Sequence, residues 1–289
     1  MKSSVRFVLA MILIGSAAGS PPAEAASAIT LGGGFNQPSG VAVDASGNVF
    51  VADTANNAVK EILAAGGYTT VNTLGSGFNH PYGVAVDASG NVFVADFGNN
   101  AVKEVLASGG YTTVNTLGSG FNNPYGVAVD ASGNVFVGDF GNNAVKEILA
   151  AGGYTTVNTL GSGFSHPCGV AVDASGNVFV AAYFNQAVAE ILAAGGYTTV
   201  NLLGSGFSGP TGVAVDASGN VFVADQVNKT VLEILAAGGY TTVSTLASGF
   251  NRPTGVAVDV SGNVFVADQL SIFVTEILAH DAIFANGFE

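Results

Sequence analysis

The apolar residues of the chain occur in short runs that recur at a constant spacing. Residues 41–43 (Val-Ala-Val) and 49–52 (Val-Phe-Val-Ala) are two such runs, and the turn-forming segment 44–48 (Asp-Ala-Ser-Gly-Asn) separates them. The runs are rich in β-branched and aromatic residues, which favour strands. Because they do not alternate with polar residues, the pattern predicts strands that are buried on both faces.

Two further segments complete each unit. The segment 68–74 (Tyr-Thr-Thr-Val-Asn-Thr-Leu) predicts another strand, since Thr and Val favour a pleated backbone. The segment 58–64 (Ala-Val-Lys-Glu-Ile-Leu-Ala) consists of helix formers, and Gly66 would suit the end of a helix. We assign it as a strand, because it is short for a helix and because it completes a four-stranded sheet.

This pattern repeats along the chain. Six prolines are spaced by 43 residues, and each is followed by x-Gly-Val-Ala-Val-Asp. A period of this length indicates either propeller blades or pairs of helices, and the strand-and-turn pattern favours blades. One such unit cannot bury its own faces, so the units must pack against one another in a closed ring. The repeats are residues 38–80, 81–123, 124–166, 167–209, 210–252 and 253–289.

The repeated unit P-x-G-V-A-V-D-x-x-G-N-V-F-V-A-D-x-x-N-N resembles the NHL repeat, and the resemblance covers residues 38–289. It implies an all-β fold, a six-bladed β-propeller with four antiparallel strands in each blade. Propellers of this family include extracytoplasmic sensor domains, protein- and RNA-binding modules, and metal-dependent lyases acting on streptogramin B or on peptidyl-amidoglycolates. The resemblance therefore implies no single activity. One phenylalanine per unit is expected to fill the space between blades: Phe35, Phe78, Phe121, Phe164, Phe207 and Phe250.

The two ends of the chain differ from the repeats. The sixth unit has no copy of the Tyr-Thr-Thr-Val-Asn-Thr-Leu strand, whereas residues 27–31 align with residues 70–74. We therefore expect residues 26–37 to supply the closing strand of the sixth blade and its lead-in, which removes an exposed sheet edge. In the alternative, residues 283–285 take that place. The terminal residues 284–289 are either a short sorting or docking tag or a frayed end.

Residues 1–25 have the pattern of a cleaved secretory signal peptide. Lys2 and Arg6 precede an apolar run over residues 7–19, and residues 23–25 (Ala-Glu-Ala) match a cleavage site. An uncleaved anchor is the alternative. No later segment is long and apolar enough to span a bilayer, so the mature chain is expected to have no membrane span and to be secreted or periplasmic.

Charge and cysteine content exclude several classes of function. The chain has 7 Lys and Arg against 20 Asp and Glu, a net charge of −13, which disfavours nucleic acid as a partner. A single cysteine excludes an internal disulfide and any multi-cysteine metal site.

Superposition of the six repeats shows where they differ. The loops 44–48 and 64–67 hardly change between units, whereas the loops before the proline and after Val-Phe-Val-Ala-Asp vary. A four-stranded blade places these two loops at the same end, which we call the variable face. The opposite end is the constant face. Aromatic residues with polar tips suit recognition, so the variable face is expected to bind a protein, peptide, glycan or small molecule. Alternatively, the rings only cover strand ends. The candidate residues are His80, Tyr82, Phe97, Tyr125, Phe140, His166, Cys168, Tyr183 and Phe184.

A ring of carboxylates is expected at the same face. It is formed by the aspartate that ends the second strand of each unit, and Ala182 interrupts it. These residues are candidate metal ligands, although one aspartate per blade also fits an architectural role. We expect no cofactor, with calcium or zinc as the alternative. The candidates are Asp53, Asp96, Asp139, Asp225 and Asp268.

These observations predict a non-enzymatic binding scaffold. His80 and His166 lie two blades apart, and Cys168 has no basic neighbour in sequence besides His166, so a clustered catalytic centre is not indicated. A metal-dependent lyase or a lactonase-like hydrolase on the variable face is the alternative. Units one to three are nearly identical, which is also compatible with a recent expansion that has acquired little specificity.

Overall fold

Each repeat folds into one four-stranded antiparallel sheet. The computed structural model describes residues 28–279, and its six sheets form the blades of a β-propeller. In blade one the strands β2 (Pro38–Val43), β3 (Val49–Asp53), β4 (Ala58–Ile62) and β5 (Val71–Leu74) lie side by side in chain order. No helix in this part of the chain is long and apolar enough to cross a membrane.

The next four blades repeat this order. Blades two and three consist of β6 (Pro81–Val86), β7 (Val92–Asp96), β8 (Ala101–Val105) and β9 (Val114–Leu117), and of β10 (Pro124–Val129), β11 (Val135–Asp139), β12 (Ala144–Ile148) and β13 (Val157–Leu160). Blades four and five consist of β14 (Pro167–Val172), β15 (Val178–Ala182), β16 (Ala187–Ile191) and β17 (Val200–Leu203), and of β18 (Pro210–Val215), β19 (Val221–Asp225), β20 (Thr230–Leu235) and β21 (Thr242–Ser248).

Blade six takes its outer strand from the other end of the chain. Strands β22 (Pro253–Val258), β23 (Val264–Asp268) and β24 (Val274–Ile277) are completed by β1 (Ala28–Leu31), which pairs antiparallel with β24. The expected closing strand is thus confirmed for residues 28–31. The expected signal peptide (residues 1–25), the alternative segment 283–285 and the terminal residues 284–289 lie outside the described residues.

The fourth strand begins later than the sequence indicates in blades one to five. In blade one it starts at Val71 rather than Tyr68, because Tyr68 has a φ of 64° and belongs to the turn. The amide of Leu63 donates to the carbonyl of Thr70 and closes this turn. The ambiguous segment 58–64 forms strand β4 up to Ile62, as assigned from the sequence.

The hydrophobic core lies between the blades. Every residue of β3 is buried, as the apolar run predicted, and Phe50 packs into one cluster with Val84, Val92 and Val94 of blade two. The six phenylalanines expected between the blades, one per unit, are buried with the exception of Phe250, which is only partly buried. The glycine that adopts positive φ after the fourth strand of blades one to four is replaced by Ala247 in blade five. Strand β21 therefore continues through Ala247 to Ser248 and changes the approach to Phe250.

The inner strands approach one another around the propeller axis through a ring of glycines. A Cβ atom on Gly83 would lie 2.6 Å from the carbonyl oxygen of Tyr125 and 2.9 Å from the Cα atom of Gly126. The same contact recurs from blade to blade, and Gly255 of blade six meets Gly40 of blade one. The glycine of each Pro-x-Gly therefore permits the close approach that brings six blades around one axis.

Candidate binding site on the variable face

The start of the first strand and the end of the second strand meet at the variable face. Pro38 pairs with Asp53, and the equivalent pairs recur in the other blades. The residue after each proline and the residue after each second strand consequently lie at the same end of the propeller axis. We call these twelve residues the mouth: Ser39, Tyr82, Tyr125, Cys168, Thr211 and Thr254, with Thr54, Phe97, Phe140, Tyr183, Gln226 and Gln269.

The aromatic half of the mouth is one continuous cluster. The ring centroids of Tyr82 and Tyr125 are 4.5 Å apart, and those of Tyr82 and Phe97 are 4.8 Å apart. Phe140 follows at 5.9 Å from Tyr125, so rings of adjacent blades contact one another without a gap. All four rings are partly exposed. Such tilted arrangements are favourable for aromatic pairs and hold the rings in place.

The cluster extends into blade four. The ring centroids of Phe140 and Phe184 each lie 4.5 Å from that of the His166 imidazole. Tyr183 packs edge-on against Phe184, with their ring centroids 5.1 Å apart. Phe184 is 60% exposed, which is unusual for so large an apolar side chain. The structure therefore brings seven of the nine candidate residues into one cluster.

Two candidate residues take no part in these ring contacts. His80 is exposed, and its Nδ1 atom is 2.8 Å from Oδ1 of Asn79. Its position in blade two corresponds to that of His166, but the preceding blade offers Thr54 where His166 meets Phe140. Cys168 is 1% exposed, and burial raises the pKa of its thiol well above the ordinary value. A buried neutral thiol is a poor nucleophile.

The other half of the mouth is polar and contains none of the candidate residues. The hydroxyl of Thr211 donates to backbone carbonyls, and so do those of Thr254 and Thr54. Gln269 lies beside Ser39, with Nε2 of the amide 3.4 Å from Oγ of the serine. These residues occupy the same repeat positions as the aromatic ones, so following each position through all six units would have found them.

Burial raises the pKa of the Tyr125 hydroxyl well above its ordinary value. Cys168 and Tyr82 act in the same direction, whereas the positive charge of Arg252 lowers the pKa. Arg252 belongs to the loop before blade six, opposite Tyr125 of blade three. Its charge therefore acts across the mouth.

The aspartates that end the second strands bind the loops of the protein itself. Oδ1 of Asp96 accepts a hydrogen bond of 2.7 Å from the backbone amide of Asn79, and Oδ2 accepts one from the side chain of Asn99. Lys103 completes the arrangement, with Nζ 2.6 Å from Oδ2. The equivalent aspartates of blades one, three, five and six also accept hydrogen bonds from backbone amides of the loop before the proline: Asp53, Asp139, Asp225 and Asp268.

Blade four replaces this arrangement by another. Ala182 stands where the other blades have aspartate, and Oδ1 of Asn185 accepts the backbone amide of Ser165 at 2.6 Å instead. The loop thus keeps its hydrogen bond without a buried charge. This substitution indicates that the aspartate at this position holds the loop, an architectural task that an amide also performs.

The described residues contain no group of three or more His, Cys, Asp or Glu side chains that could hold a metal ion. Each candidate aspartate lies in a different blade, and its oxygens already accept hydrogen bonds. The carboxylates of the variable face consequently do not converge on one point, as the six to eight oxygens around calcium would require.

The architecture and the repeated loop-holding aspartate define a β-propeller built from copies of one short repeat. The NHL repeat family model matches five of the units, and the chain is an NHL-repeat propeller. The unmatched unit is that of blade four, which contains Ala182. The matched segments are residues 35–62, 78–104, 121–148, 207–233 and 250–271.

Solved structures with the same fold include enzymes. A streptogramin B lyase superposes with a TM-score of 0.61 at 11% identity, covering 84% of this chain and 93% of that one. A gluconolactonase from Xanthomonas campestris gives a TM-score of 0.70 at 16% identity, covering 87% and 89%. A structural genomics protein of unknown function from Bacteroides thetaiotaomicron gives 0.69 at 17% identity, covering 86% and 74%. Likeness at this level of identity shows the shared fold.

None of the curated proteins matches this chain significantly.

Proposed function

We propose that this protein is a binding scaffold that takes its ligand at the mouth and does not catalyse a reaction. The observation that carries the proposal is the partly exposed aromatic cluster formed by Tyr82, Phe97, Tyr125 and Phe140. The blades are otherwise near copies of one another, and the rings are confined to one half of the mouth. Rigid aromatic side chains on a fixed scaffold supply contact area at small entropic cost.

The chemistry of the neighbouring groups supports binding rather than catalysis. The Cys168 thiol is buried, and its raised pKa keeps it protonated at neutral pH. The aspartates beneath the mouth are engaged with loop amides, and Asp96 is also paired with Lys103. None of these groups is positioned as a free nucleophile or general base.

The proposed location of the protein is outside the cytoplasm, secreted or periplasmic. Support comes from the sequence of residues 1–25, with its basic start, short apolar run and Ala-Glu-Ala site. In this setting the ligand is an extracellular or periplasmic protein, peptide, glycan or small molecule.

Substitutions taken from other repeats test the proposal with little risk to folding. Tyr82→Thr and Tyr125→Thr introduce the residue that blades five and six carry at the same position. Val260→Ala on the constant face restores the residue of the other five repeats at a side chain that is 94% exposed, and it serves as the control. A small-molecule, peptide and glycan library is screened by NMR against each purified protein.

We expect the screen to find ligands that bind equally well to the native protein and to Val260→Ala, and at least tenfold more weakly to the two tyrosine variants. Equal binding by all four proteins would place the site elsewhere and refute the proposal.

Metal analysis and activity assays accompany the screen. Stoichiometric metal together with turnover, both lost on substitution of Asp96, Asp139 or His166, would establish the alternative of a metal-dependent lyase or hydrolase.

A further inference from the structure

The mouth is divided into two chemically different halves. Blades two to four contribute five aromatic rings, whereas blades five, six and one contribute hydroxyls and amides. The residues of the axial cavity reflect the same division, since Tyr82 and Tyr125 line it on one side and Thr211, Thr254 and Ser39 on the other. A ligand that fills the mouth therefore needs an apolar face and a polar edge.

The polar half offers hydrogen-bond acceptors. Both threonines are buried, and each hydroxyl lies near two backbone carbonyl oxygens: Thr211 is 3.2 Å from those of Ala224 and Pro253, and Thr254 is 3.2 Å from that of Ala267 and 3.4 Å from that of Pro38. A hydroxyl has one hydrogen and two lone pairs, so each threonine oxygen can accept a hydrogen bond but has no second hydrogen to donate. The complementary ligand groups are donors, such as the hydroxyls of a polyol.

Gln269 is the strongest indication that the polar half is incomplete without a ligand. Its side chain is only 5% exposed, and its Oε1 atom has no hydrogen-bond partner. A buried polar atom without a partner costs free energy, and nearly all such atoms in folded proteins are satisfied. A hydroxyl of a ligand seated against Ser39 and Gln269 would supply the missing donor.

Two exposed cationic residues belong to the loops of this half, Lys229 of blade five and Arg252 before blade six. Arg252 is exposed, directly precedes Pro253, and forms no ion pair with any described residue. The loop-holding aspartates are buried beneath the mouth, and the aspartates of the first turns, such as Asp44, lie on the constant face. A carboxylate on the ligand would therefore find an unpaired guanidinium and no exposed carboxylate at the mouth.

We propose that the mouth binds a pyranose sugar that carries a carboxylate, such as a hexuronic acid or a chain that ends in one. The apolar face of the ring packs on Tyr82 and Tyr125, its hydroxyls donate to Gln269 and the threonines, and its carboxylate pairs with Arg252. A sugar ring combines an apolar C–H face with a rim of donors, which matches both halves. This inference rests on the proposed function and specifies its ligand class.

The test uses the full mature chain and four probes: glucuronic acid, galacturonic acid, glucose and benzoate. Binding is measured by saturation-transfer NMR and by calorimetry. We expect the two uronic acids to bind with dissociation constants in the millimolar range, which is ordinary for a monosaccharide. We expect glucose to bind at least fivefold more weakly, because it lacks the carboxylate.

Three variants assign the contacts, and each carries a residue found in another repeat. Arg252→Asn, with the residue of blade three, should remove the preference for uronic acids over glucose. Gln269→Thr, with the residue of blade one, and Gln269→Phe, with a residue of blades two and three, should weaken both uronic acids at least fivefold. Circular dichroism and Tm confirm folding, and Val260→Ala is the control.

Equal affinity for glucose and the uronic acids would overturn the role of the carboxylate, and absence of any saccharide binding would overturn the ligand class. Benzoate binding at the mouth without saccharide binding would refute this inference and leave the proposed function intact. The proposed function itself fails if the tyrosine variants leave all library ligands unaffected, or if metal and turnover appear and are lost together on substitution.

Discussion

Lys103 and Asp96 form an ion pair beneath the mouth, with Nζ 2.6 Å from Oδ2. Blade three repeats the pair with Lys146 and Asp139. Blade five has no such partner, because Leu232 stands at the position of the lysine. Burial raises the pKa of Asp225 in that blade above its ordinary value of 3.8, although Ser208 and Asn228 donate hydrogen bonds that oppose the shift.

Introducing the missing lysine should therefore lower the pKa of Asp225. A lysine at position 232 can keep its alkyl stem in the core and bring its ammonium group to the carboxylate, as Lys103 does. The measurement is an NMR titration of the Asp225 carboxyl in the native protein, in Leu232→Lys and in the uncharged control Leu232→Met. An unchanged titration midpoint in the lysine variant would contradict the pairing.

The same comparison predicts a change in the acid dependence of stability. In the native protein the raised pKa of Asp225 means that the folded state holds this proton more tightly than the unfolded state. The contribution of this group to stability thus falls as pH rises from about 3.8 through the raised pKa. In Leu232→Lys the lowered pKa reduces or reverses that fall. Urea unfolding between pH 4 and pH 7 measures the difference, with Leu232→Met as reference.

The closing strand should contribute strongly to stability. Leu31 is buried in the core between blades six and one, and residues 28–31 pair with β24. A chain that begins at residue 32 loses the burial of Leu31, roughly 2–3 kcal/mol, together with the strand hydrogen bonds. We expect its Tm to fall by about 10 °C relative to a chain that begins at residue 28. Equal Tm values would show that closure does not depend on this strand.

The axial glycine ring should tolerate no side chain. A Cβ atom on Gly126 would collide with the carbonyl oxygen of Cys168 and lie 2.9 Å from the Cα atom of Gly169, and both of these are backbone atoms. We expect Gly126→Ala to lower the free energy of unfolding by about 3 kcal/mol, at the upper end of the usual cost of overpacking. The control is Gly120→Ala, whose Cβ would meet no atom within 4 Å but whose φ is 81°. Its cost should be about 1 kcal/mol. The reverse order in chemical denaturation would contradict the close approach.

The Cys168 thiol should be unreactive in the folded protein. It is 1% exposed, and burial raises its pKa, so little thiolate is present and little surface is accessible. We expect labelling by a maleimide at pH 7 to be at least a hundredfold slower in buffer than in denaturant. Comparable rates in both conditions would show that the thiol is accessible at the mouth.

The candidate site could be predicted in part from the sequence. Comparing the repeats identified the loops at which blades differ, and therefore Tyr82, Tyr125, Phe97 and Phe140. It did not identify Gln269 as a buried side chain with an unpaired oxygen, since that property depends on Ser39 of the neighbouring blade. Nor did it distinguish His166 from His80, because their difference arises from the residue that the preceding blade presents.

The sequence by itself determined the repeat, the strand order within each blade and the closing strand, because each follows from local pattern and from the fact that a single blade cannot bury its own faces. The tertiary structure decided which side chains of different blades meet. It engaged the aspartates with loop amides and joined seven candidate residues into one cluster. The physical reason is that these contacts lie between blades, across a ring whose dimensions are set by backbone packing at its axis.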